Sequence, residues 1–142
     1  MDRTLRLTVL FVFCLVSLPA SGCRDSGPEL GTVSGTITLD DKPLPNATVE
    51  FQPGPGGSPS SGKTDANGRY ELSYSKDRPG AMVGEHVVRI STFRQDAPDD
   101  EGLRPVIEYP ELLPPRYNEE SELTAEVKPG RNEGMDFNLK SR

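Results

Sequence analysis

Thr64-Asp65-Ala66-Asn67-Gly68-Arg69-Tyr70-Glu71-Leu72 is the stretch that decides how this chain folds. Asp and Asn side chains bond nearby backbone, and Gly tolerates a positive φ, so Asp65–Gly68 has the chemistry of a tight turn. From Arg69 onward the side chains alternate, with Tyr70, Leu72 and Tyr74 on one face and Arg69, Glu71 and Ser73 on the other. That is the period of a half-buried strand. A turn feeding a strand is the unit, and the segments on either side repeat it.

Toward the N-terminus, residues 32–39 alternate cleanly, with Val33, Gly35, Ile37 and Leu39 opposite a Thr-rich face that suits a solvated sheet surface. Asp40-Asp41-Lys42-Pro43 reads as a turn, and residues 46–52 resume with Ala47, Val49 and Phe51 inward. These two segments are expected to form a hairpin across a loop of roughly six residues. Asn46 suits turn geometry at its start. Residues 53–62 (P-G-P-G-G-S-P-S-S-G) hold almost nothing to bury and read as a loop. Ser61-Gly62-Lys63-Thr64 resembles the end of a phosphate-binding loop but lacks the first Gly and the following helix.

Toward the C-terminus, residues 85–92 place His86, Val88 and Ile90 on one face. Residues 94–121 are proline-rich and carry the acids Asp96, Asp99, Asp100 and Glu101, which marks a long irregular excursion. Leu112, Leu113 and Tyr117 are expected to dock back on the body. Residues 122–128 and 133–139 alternate again, with Leu123, Ala125, Val127, Met135, Phe137 and Leu139 inward. Around Pro129-Gly130-Arg131-Asn132 they read as a terminal hairpin. No segment of this body has a 3.6-residue apolar stripe, so the expectation is all-β with essentially no helix.

The first 22 residues are an address. Arg3 and Arg6 form a basic start, residues 7–18 are mostly apolar, and Pro19-Ala20-Ser21-Gly22 supplies small residues before Cys23. The run is too short to span a bilayer and reads as a cleaved signal peptide. Ala20-Ser21-Gly22-Cys23 resembles a bacterial lipobox, which implies that Cys23 is acylated, with palmitate-type chains, and becomes the new N-terminus. The division is then 1–22 signal peptide, 23–31 flexible tether and 32–140 folded domain. Residue 25, and not residue 24, is Asp. In a bacterium with two membranes that position favours the outer one.

Cys14 leaves with the signal and Cys23 is consumed by lipid, so no disulfide is expected and the apolar core must hold the domain. Fourteen Gly and fourteen Pro fit a chain of many turns. The formal net charge is −6, and loss of the leader makes it one unit more negative. An acidic chain without a basic cluster argues against nucleic acid and against polybasic attachment to lipid.

Few residues could carry chemistry. His86 is the sole histidine and has no second ligand beside it in sequence, which favours a packing position over a metal ligand or general base. Asp65 and Asn67 place two oxygen ligands in one turn, the only suggestion of a metal site, but calcium takes six to eight oxygens.

The series Val33-x-Gly35-x-Ile37, Lys42-Pro43-Leu44-Pro45-Asn46-Ala47-x-Val49-x-Phe51, Thr64-Asp65-x-x-Gly68-x-Tyr70-x-Leu72 and Gly84-x-His86-x-Val88-x-Ile90 resembles the carboxypeptidase regulatory-like domain, a transthyretin-like (prealbumin-like) sandwich. Pro115-Arg116-Tyr117-Asn118, Ser121-x-Leu123-Thr124-x-Glu126-Val127 and residues 132–139 resemble the small secreted members abundant in planctomycete bacteria. The resemblance implies a seven-strand antiparallel Greek-key sandwich. Six strands are legible, and a seventh is expected near residues 62–64 or 106–109. No zinc-binding His/Glu motif of the carboxypeptidases is present. The His set and C-terminal Tyr-Arg-Gly-Ser of the transthyretin-like hydrolases are missing too.

Three functions are therefore in play. A non-catalytic, lipid-anchored envelope module is the main expectation, held to the membrane by Cys23 and facing an envelope protein or glycan, with no cofactor. A calcium-stabilised adhesion-type module would use Asp65 and Asn67. An enzyme would have to draw on His86, Asp65, Asp96, Asp99, Asp100 and Glu101.

Overall fold

The structure is a computed structural model that describes residues 27–96 and 105–142. The leader, the Cys23 acylation call, Asp99, Asp100 and Glu101 lie outside the described residues.

The first strand, β1 (Leu30–Leu39), begins two residues before the expected domain boundary and organises one sheet. Pro28 and Glu29, assigned to the tether, are already held. Arg78 Nη2 donates to the Pro28 carbonyl at 3.0 Å and the Val83 N–H donates to that of Glu29 at 3.0 Å. At its far end Asp40 (φ 49) and Asp41 (φ 66) make a two-residue turn into β2 (Lys42–Pro43). Two positive φ values match the right-handed twist of a hairpin.

The longer hairpin expected between residues 32–39 and 46–52 does not form. After β2 the chain buries Leu44, takes a left-handed step at Asn46 (φ 58) and enters the other sheet as β3 (Thr48–Pro53). There β4 (Ser60–Lys63) pairs with it, so Ser61, Gly62 and Lys63 belong to a strand and not to a phosphate loop.

The alternating run after Gly68 is split between the sheets. β5 (Arg69–Glu71) pairs with β1, whereas β6 (Ser73–Ser75) pairs with β4. Leu72 is the crossing point, donating its N–H to the Val33 carbonyl at 3.0 Å and accepting from Gly80 at 2.7 Å. Tyr70 and Leu72 are buried as expected. Tyr74 is half-buried beneath Arg78. β7 (Arg78–Pro79) and β8 (Ala81–Met82) then return the chain to β6 and to the start of β1.

β9 (Gly84–Ser91) is the centre of the second sheet, flanked by β3 on one side. The excursion that follows contains a small ladder of its own, β10 (Arg94–Asp96) against β11 (Ile107–Tyr109). A 3₁₀ turn follows at Pro115–Tyr117. Leu113 is buried and Tyr117 packs on the core, but Leu112 is 63% exposed, contrary to expectation. Neighbouring residues on an extended segment face opposite ways, so only one of the two leucines can enter.

The terminal hairpin is also absent. β12 (Thr124–Val127) pairs antiparallel with β9, while β13 (Gly130–Asn132) and β14 (Phe137–Leu139) lie parallel to β1 in the other sheet. Asn132 holds this arch from within. Its Oδ1 accepts the Lys128 N–H at 2.9 Å, and its Nδ2 donates to the carbonyls of Lys128 (2.8 Å) and Thr32 (3.1 Å). β12 ends at Val127 and β13 begins at Gly130, so the chain crosses from one sheet to the other within this short arch.

The core lies between the layers. Val33, Ile37, Tyr70 and Leu139 come from one sheet and Val49, Phe51, Val88, Ile90 and Val127 from the other, all at most 2% exposed. Phe137 meets Phe51 edge-on at 6.3 Å between centroids. Each such side chain contributes about 1.5–3 kcal/mol by burial, so this cluster is the main source of stability in an all-β sandwich.

Candidate functional site

Asp65 and Asn67, the metal candidates, meet through the turn itself. Asp65 Oδ1 accepts the backbone N–H groups of Asn67 (2.8 Å) and Arg69 (3.0 Å). The Asp65 N–H donates to the Arg69 carbonyl at 2.9 Å, and Gly68 donates back to Asp65 at 3.0 Å. One carboxylate oxygen is thus committed to closing the loop. Among the described residues no group of three or more His, Cys, Asp or Glu could hold a metal ion.

Beside this turn lies an open polar cleft of about 720 Å³, lined among others by Lys63, Asp65, Arg69, Tyr70, Glu71 and Asp136. It exists because β13 and β14 are interrupted opposite Gly35. The Met135 N–H donates to the Ser34 carbonyl at 3.1 Å, and the Asp136 carboxylate takes the Thr36 N–H at 2.7 Å in place of a main-chain acceptor. Any Cβ at Gly35 would overlap the Met135 carbonyl. Tyr70 closes the floor by donating its hydroxyl to that same carbonyl at 2.7 Å. Burial, with the Asp136 charge beside it, raises the Tyr70 phenol above its ordinary range.

His86 is buried at 2% exposure, its ring tilted against Phe51 at 5.7 Å. Its Nε2 lies 2.7 Å from the Met82 carbonyl. A carbonyl only accepts, so Nε2 donates to it, and the buried Nδ1 has no hydrogen-bond partner among the described residues. His86 is thus packed into the core against Phe51. Residue 86 also borders a groove of about 420 Å³ with Gln52, Glu85, Thr124 and Glu126. Asp96 is far from both turn candidates in sequence and lies 3.8 Å from the Arg94 guanidinium on β10.

Glu111 is the residue that sequence reasoning missed. Partial burial pushes its carboxyl up, but four hydrogen bonds outweigh that and hold it at about 2. The donors are Ser91 Oγ (2.6 Å), the Thr92 N–H (3.0 Å), the Leu113 N–H (2.9 Å) and Thr92 Oγ1 (2.7 Å). The carboxylate pins the excursion to the end of β9. Its sequence signal was slight: one acid in a Pro- and Leu-rich segment.

The described residues define an all-β sandwich whose polar side chains chiefly close turns and arches. No known family model and no curated protein matches the chain. Among solved structures it is similar to a 9R-lipoxygenase from Cyanothece PCC8801, at 19% identity and a TM-score of 0.43, over 81% of this chain and 17% of that one. It is also similar to a DUF3823 family protein from Parabacteroides merdae ATCC 43184, at 16% identity and a TM-score of 0.39, over 80% of this chain and 46% of that one. The chain thus spans less than half the length of either, and likenesses of this size bear on neither family nor activity.

Proposed function

We propose that this chain is a lipid-anchored, non-catalytic module of the bacterial cell envelope, with the carboxypeptidase regulatory-like, transthyretin-like fold. The sequence motif at Ala20-Ser21-Gly22-Cys23 carries the anchor, and in a two-membrane bacterium the outer membrane is its destination. The seven-strand Greek-key reading is supported by joining segments that continue one another. β5 with β6 and β13 with β14 then count as one strand each, alongside β1, β3, β4, β9 and β12.

The non-catalytic reading rests chiefly on one observation made among the described residues: four polar groups with chemical potential are tied into the fold. Asp65 closes its turn, Asp136 completes a ladder, Glu111 pins a loop, and His86 is packed on Phe51. A partner, whether an envelope protein or a glycan, would meet the surface of a rigid body.

Fractionation of cells expressing the wild type and Cys23→Ser tests the anchor. The wild type should sediment with membranes and the variant should appear in the soluble fraction. A variant that still sediments would contradict the proposal.

A further inference from the structure

We propose that the end of the sandwich formed by the start of β1, residues 54–57, residues 76–77 and residues 128–130 faces the bilayer, and that the end carrying Asp40, Asn67 and the β10–β11 ladder points away from it. This rests on the anchor reading above and deepens it.

The strand register sorts the loops into two ends. Leu30, at the start of β1, pairs with Met82, and its neighbour Gly31 pairs with Gly130. At the same end Pro53 closes β3 opposite His86, Val127 closes β12 opposite Gly84, and Ser75 turns into Arg78. Gly57 approaches Met82 there, with a Cβ position 3.0 Å from the Met82 sulfur. The other end gathers the Asp40–Asp41 turn after Leu39, the turn at residues 65–68, the β10–β11 ladder after Ser91 and the last residues after Leu139. Lys140 Nζ, bonded to Asp41 at 2.8 Å, and the Ser141 N–H, bonded to Asp40 at 3.1 Å, tie these features together.

The anchor enters at the first end, and the covalent distance is short. Cys23 lies four residues before Gly27. Four residues span about 14 Å at full extension. β1, with ten residues, is longer than that by itself, about 33 Å. The Arg78 bond to the Pro28 carbonyl and the Val83 bond to Glu29 stop the tether from peeling farther off the body. Those loops therefore stay beside the headgroups, and the opposite end stands off.

Charge does not set the posture: at the tethered end Glu29 and the exposed Asp77 offset the exposed Lys76 and Lys128. The exposed apolar residues Phe93 (50%), Ile107 (48%) and Leu112 (63%) belong to the distal end, or to the excursion that starts from it.

The test places one fluorophore at each end of the mature, acylated protein in vesicles containing a nitroxide-headgroup lipid. Cys23 is consumed by lipid, so an introduced cysteine is the only free thiol. Gly54→Cys serves the tethered end, where a Cβ meets nothing within 4 Å, and Ala66→Cys serves the exposed distal turn. Circular dichroism of each labelled protein, matched to the wild type, confirms the fold first. The expected result is a several-fold stronger quench at residue 54 than at residue 66. Equal quenching, or stronger quenching at residue 66, overturns the proposed posture while leaving the anchor intact. An intact mass without added acyl chains overturns the anchor reading, and this proposal with it.

Discussion

Gly68 is the residue on which the first turn depends. Its φ is +73°, and a Cβ would overlap the Ile37 carbonyl oxygen. Its own carbonyl accepts the Ile37 N–H at 2.8 Å, so the turn cannot slide away from β1 to relieve a larger side chain. Gly68→Val should therefore lower stability by about 2–4 kcal/mol, combining positive-φ strain with a lost contact. Urea melts measure it; a loss under about 0.5 kcal/mol would show the turn to be replaceable. Two steps along, Tyr70→Ala should cost about 3–5 kcal/mol through the cavity it leaves. Tyr70→Phe should cost only about 1 kcal/mol, the share of its hydroxyl bond to Met135.

Glu111 makes the corresponding prediction for pH. Its folded carboxyl titrates at about 2, below the ordinary 4.5. Stability that it contributes is thus complete above about 4.5 and is lost as pH falls toward 2. Glu111→Gln removes the charged acceptor, costing about 1–2 kcal/mol near neutrality, and the gap from the wild type should close between pH 4.5 and 2. Parallel melts across that range check it, and a gap independent of pH would mean that the charge does not matter.

Among the elements, the longer strands were legible, whereas the short ones such as β2, β7, β8 and β10, and strand partnership, were not. Alternation at Val33, Ile37, Val49, Phe51, Val88 and Ile90 marked which side chains face the core, and all six are buried. Period-2 alternation continues unbroken through Leu72, however, so it hides the transfer of the chain from β1's sheet to β4's. The same blindness turned the arch at Gly130 into an expected hairpin. The seating of that arch depends on Asn132 reaching Thr32, 100 residues away in sequence. Glu111 escaped for a like reason, since Ser91 and Thr92 lie 20 and 19 residues before it. Turn chemistry was readable because it is local: the bonds that close the turn from Asp65 to Asn67, Gly68 and Arg69 span at most four residues. Replacing Asp136 with Ala tests the least legible element. The Thr36 N–H loses its acceptor, and β14 should exchange its amides faster than β9, by hydrogen-exchange mass spectrometry. Unchanged protection of residues 137–139 would assign the ladder's strength elsewhere.

At the scale of the molecule, one apolar core does the work that a disulfide does in many small exported domains. The melting temperature should therefore be indifferent to reductant. It should also be indifferent to EDTA, and a drop of several degrees in chelator would return Asp65 and Asn67 as calcium ligands. Function at this scale reduces to where the body is held. The proposed reading makes this sandwich, joined to a membrane through a few residues, a presenter of surface. Metabolic labelling with a clickable fatty acid, followed by capture of the wild type and Cys23→Ser, tests this most directly. The account predicts label on the wild type and none on the variant. A wild type that takes up no label, or a variant labelled equally, would contradict it.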